Sequence, residues 1–156
     1  MSNYEGRKFS KKDYDKDDAW GTEILRQVLI ARGYELVPKE KEDYGIDIVG
    51  VRNGLPEFFE VEVKHNYPWT DREDFKFDTV SFLGRKRKWN DLNFWYCVIC
   101  AETESIIFAQ SSAIFKEDNR QLKQVNSQNR KGLDEFYMLP KEKCFFVSKQ
   151  QLISGE

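Results

Sequence analysis

The stretch that constrains this chain most is residues 44–65, YGIDIVGVRNGLPEFFEVEVKH, where two strand-like runs flank Asn53-Gly54. Asn and Gly both tolerate positive φ, so the pair between two apolar runs predicts a β-hairpin. The second run alternates: Phe59, Val61 and Val63 fall on one face, Glu60, Glu62 and Lys64 on the other. One face asks for a core, and the other collects charge. A loop with an even number of residues puts Asp47 on the face of Glu62 and Lys64, because antiparallel partners share a face. A two-residue turn sets Asp47 opposite Glu60; a four-residue loop, 53–56, sets it opposite Glu62. Pro56, which has no N–H to give to a ladder, favours the four-residue loop.

Carboxylates gathered on one face of a sheet repel one another unless a partner neutralises them. The hard oxygens of Asp47 and Glu62 suit Mg²⁺, which binds through one or two carboxylates and keeps waters and phosphate oxygens in its other octahedral positions. Lys64 would stand beside such an ion, where an ammonium can orient a water or neutralise charge building on a phosphate. Glu60 shares the face one step further from the strand end; it completes the metal shell, pairs with Lys64 or faces solvent. His65, the one histidine, points to the other face of a regular strand, which favours packing or a capping hydrogen bond over general-base duty.

Asp47 followed by Glu62-Val63-Lys64 on the next strand resembles the PD-(D/E)XK, or restriction-endonuclease-like, nuclease superfamily. Ile46 stands where the motif has proline. The resemblance implies an α/β fold with an αβββαβ core, a mixed central sheet flanked by helices. It implies that Asp47 and Glu62 bind Mg²⁺, with Mn²⁺ able to substitute, and that Lys64 assists the water that hydrolyses a phosphodiester. A first-helix glutamate lies near the metal in many members, and Glu23 is the candidate by position. It sits roughly 60° around the helix from Trp20. The small size is similar to that of Holliday-junction resolvases and phage-encoded endonucleases, so DNA, including branched DNA, is the expected partner. Cutting both strands calls for two active sites and hence a homodimer.

The length of 156 residues suits one domain with a continuous core. We divide it into an N-terminal arm, 1–16, and a single domain, 17–156. Without a long apolar run the chain reads as neither secreted nor membrane-spanning. Three cysteines, an odd count, point to reduced thiols in a cytoplasmic setting. Cys97 and Cys100 have zinc-knuckle spacing, but a three-residue offset in a strand sends them to opposite faces, so buried free thiols are expected. A formal net charge of −2 does not advertise nucleic-acid binding, and any basic surface must be local.

Asp17 or Asp18 is placed to cap a helix running to about Arg32, with Gly33 ending it and Trp20, Ile24, Val28 and Ala31 facing the sheet. Residues 34–37 read as a first strand. The loop 66–80 carries Tyr67 and Trp69, whose rings either stack on bases or close the core beneath them. Arg85, Lys86, Arg87 and Lys88 are the densest positive charge; Arg85 and Lys86 are the candidates for phosphate contact, with Arg87 and Lys88 toward solvent. FWYCVIC reads as a strand buried on both faces, SIIFAQ as its antiparallel neighbour, and 111–115 as a short helix. Residues 116–134 are strongly polar and read as a flexible excursion. Three other readings stay open: a nuclease fold that has lost catalysis and binds, an RNA-processing enzyme, and a protein inhibitor using the aromatic loop.

Overall fold

The computed structural model describes residues 11–38, 45–126 and 131–154. A long helix, α1 (Lys11–Ala31), precedes β1 (Glu35–Leu36), β2 (Ile48–Arg52), β3 (Leu55–Lys64) and β4 (Thr79–Leu83). A nine-residue 3-10 helix, Gly84–Leu92, leads to β5 (Trp95–Cys100), β6 (Ile106–Gln110) and α2 (Ser111–Ile114). A further 3-10 turn, 117–119, precedes β7 (Arg120–Asn126) and β8 (Lys131–Pro140); β9 (Phe145–Val147) and α3 (Lys149–Ser154) complete the chain. The class is mixed α/β. No described helix is long and apolar enough to cross a membrane.

A six-stranded sheet has the order β1-β2-β3-β5-β6-β9, and a three-stranded sheet the order β4-β8-β7. β3 and β5 run parallel, from Phe59↔Trp95 to Lys64↔Cys100, while β2 pairs antiparallel with β3 and β6 with β5. One face of the large sheet, with Ile48, Phe59, Val61, Cys97 and Ile99, packs on Leu25 and Leu29 of α1. The other face, with Val49, Tyr96, Val98 and Cys100, packs on Val80, Phe82, Tyr137 and Leu139 of the small sheet. Cys97 and Cys100 are free, buried and on opposite faces, as the strand offset requires.

The hairpin loop is two residues, not the four expected. Arg52 pairs with Leu55 and Val51 with Pro56, and Asn53 and Gly54 sit at φ 56° and 77°. Positive φ at both central residues is the turn whose twist matches the strands. Pro56 is harmless there, because the pair after the flanking one in such a hairpin is not hydrogen-bonded and its N–H position points away from β2. On that outer side β5 begins to pair only at Phe59.

Other expectations change as well. The helix begins at Lys11, so Asp17 and Asp18 lie inside it rather than capping it. Residues 1–10 of the expected arm, like the charged loop at 39–43, lie outside the described residues. The buried stripe of α1 is Gly21, Leu25 and Leu29, with Trp20, Ile24 and Val28 beside it and Ala31 exposed. Residues 116–134 are not a flexible excursion where described; most of them form the β7–β8 hairpin. The connection from β3 to its parallel neighbour is a strand of the second sheet and a 3-10 helix rather than an α-helix. GRKRKWNDL carries apolar residues only at Trp89 and Leu92, too few for a helical stripe.

Gly21 sets the distance between α1 and β3. A Cβ there would stand 2.7 Å from Val63 Cγ2 and 3.0 Å from Val61 Cγ1. Gly21→Ala is therefore expected to lower stability by about 1 kcal/mol in urea unfolding, since overpacking outweighs the helix-propensity gain. A gain in stability would show that the helix does not approach the sheet this closely.

Candidate functional site

Asp47 stands one residue before β2, and the two-residue turn carries it to the level of Glu60 on β3. The two carboxylates end this ladder reciprocally. Asp47 N–H donates to Glu60 Oε2 (2.8 Å), and Val61 N–H donates to Asp47 Oδ2 (2.8 Å). Side-chain oxygens thus replace backbone acceptors where β2 has not yet begun.

Lys86 enters from the 3-10 helix. Its Nζ donates to Glu60 Oε1 at 2.6 Å and lies 4.0 Å from Asp47 Oδ2. Glu60 and Lys86 side chains are only 5% and 11% exposed, so this ion pair is desolvated. Burial, followed by the charge of Asp47, pushes the Glu60 carboxyl above the usual carboxylate range, against the pull of Lys86. Burial alone would depress Lys86, but Glu60 and Asp47 outweigh it and hold the ammonium above its ordinary value. Carboxylates and ammonium groups thus stand side by side, with Glu60 paired to Lys86.

Glu62 is fixed separately. Tyr96, fully buried on β5, donates to Glu62 Oε1 (2.6 Å) and accepts from Leu83 N–H (3.1 Å), joining the large sheet to the small one. Burial, reinforced by Glu62, keeps the Tyr96 phenol protonated far above its normal range.

Two adjoining clefts open here. One is lined by Asp18, Asp47, Glu60, Arg85, Lys86 and Lys88 among others, the next by Asp17, Asp18, Glu62, Arg85 and Lys86. Asp47 and Glu62 thus share a face and border neighbouring clefts that have Asp18, Arg85 and Lys86 in common. Among the described residues, no three carboxylate, histidine or cysteine side chains already converge as a cage. The donor chemistry nonetheless fits Mg²⁺, which needs only one or two carboxylates and retains water elsewhere. Asp47 lines one cleft and Glu62 the other, and Asp18 lines both.

The remaining sequence candidates are dispersed. Lys64 shares the face but turns its Nζ to the Ser81 carbonyl of β4 (2.7 Å), so the ammonium beside Asp47 is that of Lys86. Glu23 lies on α1 with its side chain 60% exposed, taking a hydrogen bond from Gln27 (3.1 Å) and facing Arg26 at 3.7 Å. The carboxylate that α1 presents to both clefts is Asp18. Its signal was its spacing to the buried stripe: Asp18, Gly21, Leu25 and Leu29 fall along one helical face. Arg85 is exposed over the clefts and Lys86 is buried. Arg87 pairs with Glu135 (3.2 Å), while Lys88 borders the Asp47 cleft. His65 Nε2 meets Asp17 Oδ2 at 2.8 Å, in keeping with a structural hydrogen bond.

No protein-family model and no curated protein matches this chain.

Lys86→Met should lower stability by about 3 kcal/mol at neutral pH, because it strands a buried carboxylate. Removing the ammonium raises the Glu60 pKa further. A carboxyl raised on folding contributes stability only at low pH and loses it as pH climbs through the folded pKa. The penalty should therefore be smaller near pH 5 than near pH 8, measured by urea unfolding at both. A pH-independent penalty would mean that Glu60 is not the partner left behind.

Proposed function

We propose that this chain is a metal-dependent endonuclease with a PD-(D/E)XK-like core, in which a 3-10 helix stands in the place of the second α-helix, hydrolysing phosphodiester bonds in DNA, branched or junction DNA included. The observation that carries the reading is the placing of Asp47, Glu60 and Glu62 at the open end of the β2–β3 hairpin, under a 3-10 helix whose cations border the same clefts. Carboxylates and cations side by side suit a phosphodiester, which needs hard ligands for a metal and positive charge for its own oxygens.

Asp47 and Glu62 would hold Mg²⁺ or Mn²⁺. When bound, the metal supplies Lewis-acid stabilisation of charge on the phosphoryl oxygens and a more acidic water. Glu60 orients Asp47 through its backbone N–H, and Tyr96 donates a hydrogen bond to Glu62. Arg85 and Lys88 are exposed at the clefts and would take the backbone phosphates on either side. Lys86 neutralises Glu60 from within. Lys64 keeps the role of assisting the water, for which its Nζ must leave the Ser81 carbonyl. Glu23 is left to outer support, with Asp18 nearer the metal. A cytoplasmic setting and a homodimer for double-strand cutting belong to the same reading.

A second reading, a binding module on this fold without hydrolysis, is favoured by one observation. Lys86 and Asp47 N–H already engage both oxygens of Glu60, and Lys64 is tied to backbone. A cleavage panel over single-stranded, duplex and four-way DNA, with RNA in parallel, separates the two. Mg²⁺- or Mn²⁺-dependent cleavage is expected, and Asp47→Asn, Glu62→Gln and Lys64→Ala should each lower it about 100-fold or more. DNA binding without metal-dependent cleavage in the wild type would leave the binding module; cleavage undiminished by Glu62→Gln would remove the assignment of the site.

A further inference from the structure

A cavity of about 240 Å³ lies beyond the far end of β3, between the loop that follows Lys64 and the small sheet. Its walls are unusual for a surface this charged. Tyr67 and Phe77 are 54% and 42% exposed and meet edge to face at 5.3 Å, with Phe75 and Trp69 behind them. Of the two loop aromatics weighed together at the start, Tyr67 reaches solvent and Trp69 is buried at 2%. Trp69 nevertheless keeps its indole Nε1–H buried with no acceptor among the described residues.

The rim is cationic. Lys64 and Lys123 line the cavity, and the Lys76 ammonium rests over the Tyr67 ring at 4.8 Å and the Phe77 ring at 5.8 Å. A planar heteroaromatic with a flanking negative charge meets both the rings and the lysines, and a hydrocarbon ligand would leave the lysines unanswered.

We propose that this cavity takes one unpaired nucleobase of a polynucleotide, stacked against Tyr67 and Phe77. The phosphate next to it lies on Lys123, and Lys76 moves from the ring face to the backbone as the base enters. The inference deepens the proposed function and rests on it for the choice of DNA. Because Lys64 belongs to the end of β3 that carries Glu62, a base held here sets an unpaired or splayed strand across the carboxylate clefts. The substrate is then one with single-stranded character, such as a flap, a loop or a junction arm, rather than an intact duplex.

The test is binding in EDTA, so that no metal-dependent cleavage enters. Fluorescence anisotropy is read on a short labelled oligothymidylate, an abasic deoxyribose-phosphate oligomer of equal length, and a duplex. Wild type is expected to prefer oligothymidylate to the abasic oligomer and to the duplex, each by about 10-fold. Tyr67→Ala and Phe77→Ala, both at exposed rings, should each lose about 10-fold on oligothymidylate and little on the abasic oligomer. Lys123→Ala should weaken all single strands alike and flatten the salt dependence by about one released ion. Equal affinity for the abasic oligomer, or binding indifferent to both ring variants, would overturn the proposal. Should ring-dependent binding be found in a protein that cleaves nothing with Mg²⁺ or Mn²⁺, the nuclease reading fails and the base pocket stands.

Discussion

Asn53 and Gly54 both occupy positive φ, and the register of the β2–β3 hairpin follows from that single turn. The register carries Asp47 to Glu60, which allows two side-chain carboxylates to exchange hydrogen bonds with the backbone at the ladder's end. Two acids so close and so buried need a cation, and Lys86 of the 3-10 helix supplies it. Drawing Lys86 inward fixes the rotation of its helix. Arg85 and Lys88 consequently turn outward over the clefts, and Arg87 turns to Glu135. A one-residue slip of β3 would send Glu60 and Glu62 to the α1 face.

The polar face of β3 is not a solvent face. It is roofed by the small sheet and the 3-10 helix, so its charges act at low effective dielectric, where pairing and misplacement are both amplified. Tyr96 serves as the pin between layers, tying Glu62 on the large sheet to Leu83 at the end of β4. The opposite face is governed by approach rather than charge: with no side chain at Gly21, α1 settles against Val61 and Val63 and brings Asp18 to the rim of the clefts.

Much of this architecture could be read along the chain because it depends on near neighbours. Alternation in 57–64 marked β3 and its two faces, the apolar run 94–100 marked a strand buried on both sides, and its offset placed Cys97 and Cys100 apart. The same alternation places Glu62 and Lys64 on one face, whereas Asp47, expected opposite Glu62, stands at the level of Glu60. The loop length was misread because Pro56 was weighed as a ladder breaker, when its effect depends on which side of the strand has a neighbour. The polar stretch 116–134 was misread because a strand whose outer side is wet has little apolar content to show.

Local chemistry along the chain thus determined the hairpin, the strands of the large sheet's centre and the set of acids and bases from which a site can be built. Which of them meet was settled only by packing. Lys86 rather than Lys64 reached Glu60, Asp18 rather than Glu23 reached the clefts, and Tyr96 captured Glu62. These partners come from elements far apart in sequence, whose mutual position follows from how two sheets and a helix bury their apolar faces together. Periodicity specifies a residue's face, whereas the neighbour across that face belongs to the whole fold.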